Sequence, residues 1–207
     1  MAGLASVIVL SYLTGAVPFG YIAGKLFKGI DIRKSGSGNT GATNALRVLG
    51  KKTGIAVLLL DFLKGVFCVL VISRTVIPGE AALPLEYIKL ISFASAFIGH
   101  IYPVYLGFKG GKGVAVAAGG ASALSPLIFP LCALVFSAVL IKTKYVSAAS
   151  LSAAWALVLV YPLSLVFRSL SFYPLYEAVF ISAALLVTYR HRANISRLIG
   201  KNENRIG

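Results

Sequence analysis

The sequence predicts an all-α fold: a polytopic membrane helix bundle of seven transmembrane helices, with the N-terminus outside and the C-terminus cytoplasmic. Three observations carry this. The chain is 58% apolar over its 207 residues, against about 45–50% for a soluble domain, and its mean hydropathy is +0.88. The apolar residues form runs long enough to cross a bilayer, about 20 residues each. The basic residues fall between those runs.

The runs lie at about 3–24, 54–73, 87–106, 150–167 and 172–189, with a longer one at 113–141. The first is simply the first of several, so no cleavable leader with a polar domain behind it is expected. The stretch 113–141 is interrupted by Ser125-Pro126 and by Pro130. Proline removes a backbone donor and pushes the residue before it out of the helical region. That stretch is therefore one kinked helix or two shorter helices in a hairpin. Charge favours the hairpin. Lys and Arg cluster at 25–52, at Lys109 and Lys112, at Lys142 and Lys144, and from Arg190 to Arg205. If every cluster is cytoplasmic, an even number of passes separates 109–112 from 142–144. No composition shift marks a linker and no repeat is visible, so one domain over 1–207 is expected.

The net charge is +14. In a soluble protein this would suggest nucleic acid. Here the cations orient the chain and meet anionic head groups, or they bind an anionic substrate. Cys68 and Cys132 lie in apolar runs and read as inert buried thiols.

Three polar islands fall on the side that this topology makes cytoplasmic. The first, residues 35–50, reads SGSGNTGATNALRVLG. It contains G-x-G-x-x-G, but no strand precedes it and no βαβ unit surrounds it, so it is not a dinucleotide turn. The second, 99–115, reads GHIYPVYLGFKGGKGVA and lacks the spacing and the Ser or Thr of a phosphate loop with its Mg²⁺ site. The third, 189–200, reads YRHRANISRLIG. Gly-rich turns expose backbone N–H groups that bind phosphate or carboxylate oxygens. Ser37, Asn39, Thr40, Thr43 and Asn44 add neutral donors. A helix starting near Thr43 would add its dipole and put Arg47 on the same face. Lys109, Lys112, Arg190 and Arg192 add charge. His191 and Asn194 form H-x-x-N, on one face if helical. His100 ends a membrane run, and Asp61 and Lys64, three residues apart inside another, can pair with each other or serve function. Neither histidine has the spacing of a metal site.

These islands carry a resemblance. Gly36 to Asn44 with Arg47, Gly99-His100 with Tyr102-Pro103 and Gly107 to Ala115, and Tyr189 to Arg192 with Asn194-Ile195 resemble the bacterial acyl-phosphate:glycerol-3-phosphate acyltransferases (PlsY). Tyr145-Val146-Ser147 is similar too. The resemblance runs over the whole chain, with the motifs in order. It implies a seven-helix bundle in the bacterial inner membrane with its active site facing the cytoplasm. It implies transfer of a fatty acyl group from acyl phosphate to the 1-hydroxyl of sn-glycerol 3-phosphate, giving lysophosphatidic acid and phosphate. That is the first acylation of phospholipid synthesis. Neither acyl-CoA, acyl carrier protein, a cofactor nor a metal is implied. The H-x-x-x-x-D of other glycerolipid acyltransferases is missing, since Tyr105 and Ser196 stand where the Asp would be.

Under this resemblance Ser37, Gly38 and Asn39 would take the acyl-phosphate head. Arg47, Lys112 and Lys109 would hold the glycerol-phosphate anion, with Thr43 and Asn44 pinning the island. His191 and Asn194 would orient the glycerol hydroxyl, and Ser147 would support the site from behind. His191 or a substrate phosphate would take the proton. The acyl chain would lie between helices. Two other classes remain open. A transporter of small organophosphates predicts an inverted repeat, which is not visible, and a lipid-binding scaffold predicts no turnover. Oligomeric state is not legible.

Overall fold

The computed structural model describes residues 2–75, 83–127, 129–162 and 174–206. Every regular element among them is helical. The chain divides into two compact units, 1–124 and 125–207.

The first unit begins with α1 (Ala2–Ala16) and α2 (Phe19–Lys28). The run expected at 3–24 is thus two helices, broken at Val17-Pro18, where Pro18 has no N–H to donate and restricts Val17. The first island carries α3 (Ala42–Leu49); α4 (Lys51–Leu70) follows it, then α5 (Leu85–Ile101) and α6 (Val114–Leu124). Among the described residues, three helical stretches are long and apolar enough to cross a membrane: Gly3–Lys28, Lys51–Arg74 and Leu85–Leu106.

α4 shows what kind of solvent surrounds it. Leu59, Leu63 and Phe67, four residues apart, are each about half exposed, while Val57, Asp61, Lys64 and Cys68 are buried. Its greasy stripe faces out and its charges face in, as a lipid-facing helix requires. Without a hydrophobic drive between helices in lipid, close backbone approach through small residues holds them together. α1 and α5 meet this way. A Cβ on Gly15 would lie 2.1 Å from the Ala96 carbonyl oxygen, and one on Gly99 would lie 2.2 Å from that of Tyr12. α4 and α6 repeat the arrangement with Gly65 against Val116 and Gly119 against Phe62. A buried polar seam adds to it. Ser92 Oγ donates to the Cys68 carbonyl at 2.6 Å, which uses its single proton, so Ser11 Oγ is the donor of the 2.7 Å bond between the two hydroxyls.

The second unit holds α7 (Phe129–Thr143), α8 (Val146–Val160), α9 (Pro174–Arg190) and α10 (Arg192–Ile199). The expected interruption of 113–141 falls at Ser125-Pro126, between α6 and α7. Pro130 breaks nothing. It sits in the first turn of α7, where its missing N–H costs no intrahelical hydrogen bond. α8 and α9 are joined by a bond from Trp155 Nε1 to Thr188 Oγ1 at 3.1 Å and by a Tyr161, Tyr176 and Phe180 aromatic cluster. The parts of the expected spans at 163–167 and 172–173 lie outside the described residues.

Candidate active site

The first island is closed around one amide. Asn44, buried in the first turn of α3, donates from Nδ2 to the carbonyls of Ile32, Ser35 and Asn39 at 2.8–3.1 Å. Its Oδ1 accepts from the Ser37 N–H at 2.8 Å. Gly36 and Gly38 supply the left-handed turns, at φ 62° and 69°, and a Cβ on Gly36 would lie 2.3 Å from Asn44 Oδ1. Only glycine fits such a conformation without strain. The N–H of Gly38 bonds to the Ser35 carbonyl and that of Gly41 to Asn39 Oδ1. The nest expected from the glycines therefore differs in a specific way: the N–H groups of Ser37, Gly38 and Gly41 close the loop on itself. What faces outward is the exposed Ser37, the half-buried Asn39, Thr43 and Arg47, and the start of α3. Helix geometry leaves the N–H groups of Ala42 and Thr43 without intrahelical acceptors.

Below the island, Ile32 is fully buried with Ala23, Ala45 and Val57. Gly20 of α2 packs at the Thr40 carbonyl. Arg33 is not part of the cation supply: it forks onto Asp31 at 2.8–3.2 Å and stacks on Tyr21. The Arg33 hydrogen bonds hold the Asp31 carboxyl down to about 2.

The second island folds back on the end of α5. The Gly110 N–H donates to the Ile101 carbonyl and that of Gly111 to the His100 carbonyl. A Cβ on Gly111 would lie 2.0 Å from His100 Nε2. These bonds present Lys112, half-buried, immediately before α6, with Lys109 exposed. Phe108 takes an unusual left-handed backbone, φ 62°, beside Gly107 at φ 60°.

The third island lies in the second unit. His191 was expected to share a helix face with Asn194. It stands instead at the junction of α9 and α10, with φ −95° and ψ 5°, the sparsely populated bridge region where many active-site residues sit. Its N–H reaches the carbonyls of both Val187 and Thr188, ending α9. His191 Nδ1 lies 2.8 Å from the Val187 carbonyl. A carbonyl only accepts, so Nδ1 carries the proton and the lone pair of the neutral ring is on Nε2.

Glu203 was missing from the expected site. Its side chain is 3% exposed. Oε1 accepts from Asn194 Nδ2 at 2.7 Å and from Ser147 Oγ at 3.2 Å, and Oε2 from Arg197 Nε at 2.7 Å. Burial pushes this carboxyl up, but the hydrogen bonds from Asn194 and Arg197 prevail and hold it below the usual glutamate range. The tail carrying Glu203 is fixed by the Ile206 N–H on the Lys144 carbonyl and by Arg205 on the Tyr145 hydroxyl. Ser147 and Asn194 are thus brought together by an acid between them. The one signal was an acidic residue in a basic tail.

Residues 5–201 match the family model described as glycerol-3-phosphate acyltransferase. Similar proteins named glycerol-3-phosphate acyltransferase include one from Staphylococcus saprophyticus, 43% identical over 96% of each chain. One from Chlorobium limicola is 39% identical over 100% of this chain and 97% of that protein. A crystal structure of PlsY (YgiH), an integral membrane glycerol 3-phosphate acyltransferase, in its glycerol 3-phosphate form, superposes with a TM-score of 0.86 at 38% identity, covering 100% of this chain and 96% of that one. Its lysophosphatidic acid form gives 0.83 at 37% identity over the same shares. Matches of this length and identity, together with the three motifs and the buried-charge architecture of a membrane helix bundle, establish that this chain belongs to the glycerol-3-phosphate acyltransferase family.

Proposed function

We propose that this protein transfers a fatty acyl group from acyl phosphate to the 1-hydroxyl of sn-glycerol 3-phosphate, releasing 1-acyl-sn-glycerol 3-phosphate and inorganic phosphate. The observation that carries this reading is the pair of similar structures, described as the glycerol 3-phosphate and lysophosphatidic acid forms of one enzyme. Those two molecules differ by one acyl group on one oxygen.

The glycerol oxygen attacks the acyl carbon, the bond from that carbon to the phosphate oxygen breaks, and the hydroxyl proton leaves. Acyl phosphate arrives activated, so the protein contributes mainly position and charge. Ser37, Gly38 and Asn39 meet the acyl-phosphate head. Arg47, Lys112 and Lys109 hold the glycerol-phosphate anion, the arginine by its two-pronged fork. Asn194 and His191 orient the hydroxyl, with Ser147 and Glu203 behind Asn194. The proton goes to His191 Nε2, where the lone pair resides, or directly to the departing phosphate. The enzyme works as one domain in the bacterial cytoplasmic (inner) membrane, with seven crossings and its site on the cytoplasmic side. The basic clusters support that orientation.

The test uses purified protein in detergent with acyl phosphate and glycerol 3-phosphate, followed by phosphate release. Release that requires both substrates is expected. Saturable binding of glycerol 3-phosphate without release overturns the reading in favour of a transporter or scaffold. Arg47→Ala is expected to remove most turnover, and an unchanged kcat/KM would remove Arg47 from the clamp.

A further inference from the structure

A buried ionic cluster lies in the first unit, beyond the residues assigned above. Lys64 Nζ is 2.8 Å from Asp61 Oδ1, with both side chains at most 4% exposed. The approach is that of an ion pair, not of a well-aligned hydrogen bond. His100 Nδ1 lies 3.6 Å from the same oxygen, too far for a direct hydrogen bond but close enough for its ring to feel the charge. Lys64 also donates to the Val17 carbonyl at 2.9 Å, at the break between α1 and α2, and its ammonium sits 5.4 Å from the Phe19 ring centroid.

Stability does not explain these charges. Two ions taken out of water gain about as much from each other as they lose in hydration, and well-packed apolar residues often do better. Position does explain them. The cluster ends on the His100 ring, and that ring abuts Gly111 so closely that no side chain fits between them. The next residue is Lys112. From α4 through His100 there is one packed chain to the loop that presents a phosphate-binding lysine.

We propose that Asp61, Lys64 and His100 are positioning residues: the ion pair fixes the His100 ring, and the ring sets the Gly110–Gly111 turn that aims Lys112 at the glycerol-phosphate anion. The second half of this statement rests on the acyltransferase reading above, whereas the first does not. The role predicts a selective defect. Loosening the turn weakens glycerol 3-phosphate binding and leaves the acyl-phosphate pocket, on a different loop, intact.

The experiment replaces the pair together, Asp61→Leu with Lys64→Met, so that no charge is left alone. His100→Gln is a second variant should the first fail to fold. Two readouts are taken on the full-length protein in detergent: hydrogen exchange of the segment 104–115, and KM for each substrate. Faster exchange at Gly110 to Lys112 is expected, with KM for glycerol 3-phosphate raised about tenfold, within the range for mutations acting through packed neighbours. KM for acyl phosphate should hold within about twofold. Unchanged exchange in a folded variant overturns the positioning role, whatever the activity. Faster exchange with both KM values raised equally, or with neither raised, overturns the link to Lys112. If the unsubstituted protein releases no phosphate yet exchange still accelerates in the variants, the acyltransferase reading falls and the control of the turn stands.

Discussion

Asn44 and Glu203 do the same job in different units: each gathers several partners onto one side chain, Asn44 from its own loop and Glu203 from as far as Ser147. Removing either leaves buried polar groups without partners, which costs about 1–3 kcal/mol per group. Glu203→Ala is therefore expected to lower thermal stability and to cut kcat, because Asn194 loses the acceptor that aims it. A variant with normal kcat would show that Asn194 needs no such support. His191→Ala tests the proton's destination. General-base catalysis is typically worth about 10²–10⁴ in rate, so a loss below about tenfold assigns the proton to the departing phosphate. From the residues Asn44 reads only as a neutral donor beside Gly-rich turns, and its pinning of the loop comes from the family resemblance. Glu203 could not be read at all, because nothing local marks an acid in a polar tail as the partner of residues such as Ser147, 56 positions earlier. The inward-facing N–H groups of the first island were equally hidden. A glycine pattern gives the backbone freedom without saying which way the donors turn.

Among the elements, the reciprocal glycine contacts make the sharpest demand. A Cβ on Gly119 would come within 1.9 Å of the Phe62 carbonyl oxygen, which is backbone and cannot swing aside. Gly119→Ala must push α6 away from α4, and overpacking of this kind costs about 1–3 kcal/mol. A clear fall in the midpoint of thermal unfolding in detergent is expected, and an unchanged midpoint would refute the close approach. Helix identity was legible from long apolar runs, and the breaks at Pro18 and Pro126 follow from proline's missing donor, although only the second was anticipated. Pro130 was not a break because position within the helix decides what a proline costs. Which helices pair was not legible, since glycine is scattered over many of them and only backbone proximity shows which glycines matter.

At the scale of the molecule, charge is the organising quantity. The topology proposed from it can be checked by single cysteines at Lys52, Lys109, Lys144 and Lys201 in a background lacking Cys68 and Cys132. All four should react with a membrane-impermeant thiol reagent only from the cytoplasmic side, and labelling of any one from outside would break the seven-crossing scheme. Acid sensitivity follows from the two carboxyls held low. A depressed pKa contributes stability that is complete above the unfolded value and is lost as pH falls through the folded one. Asp31 should thus release Arg33 between about pH 4 and its own value of about 2. Glu203 should free the tail on the acid side of the ordinary glutamate range. Loss of activity only once the pH falls below the ordinary glutamate range, with α-helical content unchanged, would mark the second event.

The spacing of Asp61 and Lys64 has a consequence for how the chain reaches the bilayer at all. Because the partners are three residues apart on one helix, the mid-helix charges of α4 arrive at the insertion machinery already paired, before any neighbouring helix has folded. A lone lysine or aspartate at mid-helix opposes insertion by about 2.5–3.5 kcal/mol. Losing either partner alone would thus burden biogenesis as well as the folded state.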